Sequence, residues 1–262
     1  MSAAQLTRQE ILAALVDAFR PQEYAHALWE GGSTAFGRAD AWSDIDLYLV
    51  ADEPAIPEAF RLAQASLEAL SPIDLVYEVG QTPWPGVFQT FYRLQNANPY
   101  LLIDLAVIRL SDPLPFLEVE LHGEARVLFD KQGIIRPPAF DWQANRSAIR
   151  TRLRSLRLRF EMFQVMILKE LERGEPIDAM AFYQAFALRP LVEILRMTYQ
   201  PTCYDFGPRY LHQVLPAEQA ARLARLYYIP GFADLPAARE EAAAWFNKLA
   251  NQLQPALEDN PE

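Results

Sequence analysis

Gly32 to Leu47, GSTAFGRADAWSDIDL, gathers residue types that handle phosphate, and it lies between the first two strand-like runs of the chain. Gly31, Gly32 and Ser33 stand where a strand ends and a short helix begins. Main-chain N–H groups can converge there on an anion with no side chain in the way, and Ser33 adds a hydroxyl. Gly37 follows in the same turn, and Arg38 directly after it offers a guanidinium that could face phosphate. Asp44 and Asp46 are two apart in SDIDLYLV. Side chains alternate along a strand, so both carboxylates project from one face and Ile45 from the other. Two such charges repel unless a cation lies between them, and Mg²⁺ needs only one or two carboxylates beside substrate phosphates.

The elements that hold these residues follow from periodicity and breakers. Leu6, Ile11, Leu12, Leu15, Val16 and Phe19 fall near helical spacing over 5–19, with Pro21 just beyond. Short apolar runs at 24–29, 45–50 and 73–79 read as strands, with a helix over 55–70 before the last. Runs at 88–94 and 100–110 read as strands of a hairpin joined by Gln95–Pro99, and 123–130 as a last short strand. The first half is therefore α/β with at least one antiparallel pair. After Pro137-Pro138 the texture becomes helical alone. A long amphipathic helix covers 142–173, and further helices are expected at 179–198, 217–228 and 237–253. Phe182, Tyr183 and Phe186 read as core, and His26, His122 and His212 as isolated structural residues.

The 32–47 stretch resembles the signature of the nucleotidyltransferases of the DNA polymerase β-like superfamily: Gly-Ser, a nearby Gly, then Asp-x-Asp on the following strand. Gly32, Ser33, Gly37, Asp44 and Asp46 stand at the matching positions. The resemblance implies an α/β (α+β) nucleotidyltransferase domain with a mixed sheet over 1–136, followed by an all-α helical-bundle domain over 137–262 that closes a cleft and selects the acceptor. It is closest in layout to aminoglycoside and lincosamide nucleotidyltransferases. It further implies Mg²⁺ held by Asp44, Asp46 and a third acid, with a nucleoside triphosphate, ATP or GTP, as co-substrate. A substrate hydroxyl would attack the α-phosphate and release pyrophosphate. Two positions compete for the third acid, Asp74 in PIDLVYEV and Asp104 in YLLIDLAVI. The layout of the antibiotic-modifying members favours Asp104, and an unpartnered carboxylate inside that apolar run would be costly without a neutralising neighbour.

Arg146, Arg150, Arg154 and Arg157 form one stripe of the long helix, with Arg152 and Arg159 beside it and no acid between Asp141 and Glu161. Six guanidinium groups without a local acid seek anions. Arg150 and Arg154 are the candidates for holding the triphosphate, against the alternative that the stripe docks on acidic surface. Residues 1–139 carry nine Lys and Arg against nineteen Asp and Glu, whereas 140–262 carry fifteen of each; all of the net charge of −10 sits in the first half. Such a surface disfavours a long nucleic acid and suits a cationic or neutral small molecule; with the hydroxyl acceptor that the resemblance implies, an aminoglycoside fits. Cys203 has no partner for a disulfide in a chain of 262 residues, and no apolar run reaches membrane-spanning length. A cytoplasmic protein without a membrane partner is expected, and a homodimer is compatible with the sequence. Two rivals remain: a protein-modifying nucleotidyltransferase of a toxin–antitoxin pair, and a non-catalytic nucleotide sensor.

Overall fold

Thr7 and Glu10 cap each other reciprocally, the Glu10 amide donating to the Thr7 hydroxyl and the Thr7 amide to the Glu10 carboxylate at 2.8 Å. This starts α1 (Arg8–Phe19) in the computed structural model, which describes residues 5–258. There follow β1 (Ala25–Glu30), the short helix α2 (Gly32–Ala35), β2 (Ile45–Ala51), α3 (Ile56–Leu70), β3 (Ile73–Val79), β4 (Val87–Leu94), β5 (Ile103–Arg109), α4 (Val119–His122) and β6 (Arg126–Asp130). The strands form one mixed sheet in the order β3-β4-β5-β2-β1-β6. Each neighbouring pair is antiparallel except β2 and β5, which run parallel.

Alternation explains which face does what. Ile45, Leu47 and Leu49 of β2 are buried in one cluster with Ile103, Leu105 and Val107 of β5, Ile11, Leu15 and Phe19 of α1, and Ala59, Ala63 and Leu67 of α3. The intervening residues, Asp46 and Tyr48 among them, belong to the opposite face. A smaller cluster that includes Ala27, Trp29, Ala106 and Ile108 lies there. The 100–110 run begins its strand only at Ile103. Asn98 turns the chain first, its side-chain oxygen accepting from the Tyr100 amide at 3.0 Å and its carbonyl from the Leu101 amide at 2.9 Å.

The chain divides into two compact units, the first ending at Phe140 and the second beginning at Asp141. In the second, Asp141 caps α5 (Trp142–Arg173) by accepting from the Ala144 amide at 2.8 Å, and Gly174 ends it in a left-handed conformation. Next come α6 (Pro176–Tyr183), α7 (Arg189–Tyr199), α8 (Leu211–Val214), α9 (Ala217–Tyr227) and α10 (Leu235–Glu258). The single helix expected over 179–198 is interrupted by a π segment, Gln184–Leu188. Pro190 has no N–H, so the Phe186 carbonyl four residues back lacks its α-helical donor. The buried Gln164 side chain supplies one at 2.9 Å. Leu153, Leu156 and Phe160 of α5 share a core with Tyr183, Leu191, Leu195, Trp245 and Phe246. Phe160 stacks on Phe246 with ring centroids 3.8 Å apart. Among the described residues no helix is long and apolar enough to cross a membrane.

Candidate active site

The parallel β2–β5 pair is in register with Asp46 opposite Asp104. Facing residues on paired strands point the same way, so the two carboxylates share the sheet face that the helices α1 and α3 leave free. Asp104 is half-buried, and the Gln89 side-chain amide of β4 donates to both its oxygens, at 2.8 and 2.9 Å. Burial pushes the Asp104 carboxyl up to about 6; the Gln89 hydrogen bond opposes the rise, and the negative charges of Asp46 and Asp44 add to it. The Tyr48 hydroxyl is raised as well, by burial first and then by Asp46 and Asp104. Tyr48 also begins an aromatic row on this face, stacked on Trp29 at 5.3 Å and meeting Phe116 at 5.0 Å.

Asp44 lies one residue before β2 rather than inside it. Its carboxylate accepts from the Leu102 amide at 3.1 Å, which ties it to the residue preceding β5. The Gly-Ser turn is stitched to the same strand, since the Gly31 amide donates to the Asp46 carbonyl at 2.9 Å. Gly32 has φ +55, and a Cβ there would come within 1.8 Å of an Asp46 carboxylate oxygen, so only glycine fits. Beside it the Ser33 hydroxyl is buried with no hydrogen-bond partner among the described residues. A buried, unsatisfied hydroxyl in a glycine turn beside clustered carboxylates is a place for a ligand oxygen.

The remaining expected residues are placed differently. Gly37 is exposed with φ +64 and donates its amide to the Thr34 carbonyl at 3.0 Å, so the turn conformation accounts for it. The Arg38 guanidinium lies 5.1 Å from the centroid of the Phe36 ring, and its amide bonds the Ser33 carbonyl at 2.9 Å. Asp74 is exposed on the edge strand β3, two strands from β5, and pairs with Arg93. Arg150, half-buried, and Arg154, exposed, both belong to α5 in the second unit. The idea of six anion-seeking guanidiniums needs correction. Arg152 forms two hydrogen bonds with Glu193 of α7, and Arg157 donates to Gln254 and Asn251 of α10. Helix packing brings these acceptors to α5 from residues far along the chain.

Arg8 and Glu30 are the members that sequence reading missed. The Arg8 guanidinium reaches from α1 to the Thr34 hydroxyl at 3.1 Å and the Asp44 carbonyl at 2.7 Å, and it ion-pairs with Glu30. Glu30, at the end of β1, is fully buried and also meets Arg126 at 3.1 Å. One cation thus joins the glycine turn to the start of the Asp-x-Asp strand. No local pattern signals this, because its partners lie in other elements.

The donor set suits a divalent cation shared with a phosphate. Burial first, and the neighbouring carboxylates second, make Asp104 take up its proton more readily. Among the described residues no group of three or more His, Cys, Asp or Glu is placed to hold a metal ion by itself. Mg²⁺ bound together with substrate phosphates needs only one or two such ligands.

No family model matches the chain, and no curated protein matches it. Solved structures are similar at low identity. An aminoglycoside 6-adenyltransferase from Bacillus subtilis is 13% identical with a TM-score of 0.39, the alignment covering 98% of this chain and 93% of that one. A nucleotidyltransferase-like protein from Exiguobacterium sibiricum is 10% identical with a TM-score of 0.38, covering 98% and 81%. A spectinomycin adenyltransferase from Enterococcus faecialis, crystallised with ATP and spectinomycin, is 12% identical with a TM-score of 0.33, covering 95% and 100%.

Proposed function

We propose that the protein is a nucleotidyltransferase that moves an NMP group from a nucleoside triphosphate, ATP or GTP, to a hydroxyl of a small molecule. One observation carries the reading: Asp46 and Asp104 stand side by side in register, next to a glycine turn whose buried Ser33 hydroxyl has no partner. In this reading the Gly32–Ser33 turn holds the triphosphate through main-chain amides and the Ser33 hydroxyl. Asp44, Asp46 and Asp104 are the residues that would hold Mg²⁺. The ion, when bound, neutralises triphosphate charge and polarises the α-phosphate. Asp104 is preferred to Asp74 as third acid because it neighbours Asp46, whereas Asp74 is neutralised by Arg93 on the sheet edge.

The acceptor oxygen attacks the α-phosphorus, its proton passes to Asp104, the bond to the bridging oxygen breaks, and pyrophosphate leaves. A carboxyl raised to about 6 is ionised at neutral pH yet basic enough to take that proton. The acidic first half favours a cationic acceptor of the aminoglycoside kind, and the cytoplasm supplies the triphosphates.

The test is incubation with Mg²⁺, α-phosphate-labelled ATP or GTP, and a panel of aminoglycosides. Label should appear on the small molecule, and Asp46→Ala should lower turnover by at least about a thousandfold with an unchanged circular dichroism spectrum. Label on a protein, no turnover, or full rate in Asp46→Ala would each overturn the assignment.

A further inference from the structure

The face of α5 carrying Arg152 and Arg159 opens onto a cavity of about 190 Å³ in the second unit, bounded opposite by Phe186 of the π segment and Arg189 at the start of α7. A second cavity, of about 430 Å³, shares Arg152, Arg189 and Glu193 with it and is walled by Tyr204 and Tyr227. The three guanidiniums are not equivalent. Arg152 is committed to Glu193 by two hydrogen bonds. Arg159 and Arg189 have no carboxylate partner among the described residues, and Glu193, already engaged, is the sole acid lining the smaller cavity.

The lining combines that surplus charge with apolar surface. Leu156 and Phe160 are buried core residues, and Phe186 stacks on Phe163 with centroids 5.1 Å apart. The π segment that presents Phe186 follows from Pro190, and such segments often shape ligand sites. Two guanidiniums without a carboxylate partner thus line one concave, partly apolar surface. The planar donors of arginine match carboxylate and phosphate oxygens in pairs. A cavity of about 150 Å³ accepts a benzene ring, so about 190 Å³ leaves room for a ring and an acidic group.

We propose that this cavity binds a small aromatic acid, a carboxylate or phosphate monoester, with its oxygens between Arg159 and Arg189 and its ring against Phe186 and Phe160. Every residue involved belongs to the second unit, so the site is separate from the carboxylates of β2 and β5 and stands without the transferase reading.

Titration calorimetry on the full chain tests it with four probes: phenyl phosphate, benzoate, inorganic phosphate and benzylamine. Phenyl phosphate or benzoate should bind with a Kd below about 1 mM. Inorganic phosphate, which lacks the ring, and benzylamine, which reverses the charge, should each bind at least about tenfold more weakly. Arg159→Gln with Arg189→Gln should weaken the aromatic acid by at least about tenfold. Both arginines are exposed, so the melting temperature of the ligand-free variant should match the parent. Asp46→Asn should leave this binding unchanged. The proposal fails if neither acid binds, if benzylamine or inorganic phosphate binds as well, or if the double variant binds like the parent. It also fails if Asp46→Asn abolishes binding, which would put the acid in the first unit.

Discussion

Asp104 carries two opposed demands in one carboxyl group. Its value of about 6 lies well above the ordinary 3.8, so the folded protein binds this proton more tightly than the unfolded chain does. The resulting stabilisation is fully present below about pH 4 and is lost as pH rises through about 6, where ionising the group begins to cost folding energy. Asp104→Asn removes the charge and keeps an acceptor for the Gln89 amide. At pH 8 the variant should therefore be more stable than the parent by about 2 kcal/mol, and inactive. Urea denaturation at pH 8 and at pH 4 checks it: the gain should shrink to nearly nothing at the lower pH, and equal midpoints at both would show the carboxylate to be fully solvated. The same titration governs rate. In the proposed reaction an uncharged Asp104 would neither take the acceptor's proton nor attract a cation, so kcat/KM should fall as pH drops below about 6, and an alkaline shift of that limb would contradict the assignment.

At the scale of elements, the site depends on how α1, the glycine turn and β2 are tied together, and Arg8 is the tie. Arg8→Ala would leave the buried Glu30 with Arg126 alone and free both Thr34 and the Asp44 carbonyl. A loss of about 2 kcal/mol is expected from a buried carboxylate left with one of its two cations, with a kcat reduced at least tenfold. Arg8→Lys keeps the charge beside Glu30 but not the fork, so it should restore the melting temperature more than it restores kcat. The Asp-x-Asp strand and Gly-Ser turn were legible in the sequence because they are local: alternation, a breaker and a spacing of two suffice. Arg8 was not, since its partners Thr34 and Asp44 lie 26 and 36 residues away. Gln89 was hidden for the same reason, as strand pairing alone places it against Asp104. The interrupted helix around Pro190 was half legible: the proline announces a missing N–H, but the repair comes from Gln164 on another helix.

Over the whole molecule, each unit has its own apolar core, and the core of the second is assembled from α5 to α10 and the π segment, all within that unit. A fragment beginning at Asp141 should accordingly give a helical circular dichroism spectrum and a cooperative melt. Leu191→Ala, at a fully buried position, should cost it about 2–5 kcal/mol. A gradual, non-cooperative melt of the parent fragment would show that this core needs the first unit. In the first unit, the one parallel strand pair sets an order of events. After β2 the chain builds α3, β3 and β4 before it returns as β5, so the contact between Asp46 and Asp104 closes a long excursion. Distant contacts are entropically delayed, whereas the β1–β2 and β3–β4 neighbours meet early. The mutual repulsion of the two acids is therefore met by a scaffold already formed around it, only the still more distant β1–β6 pairing closing later, and in the proposed reaction a nascent chain that has not yet emitted β5 lacks its third acid.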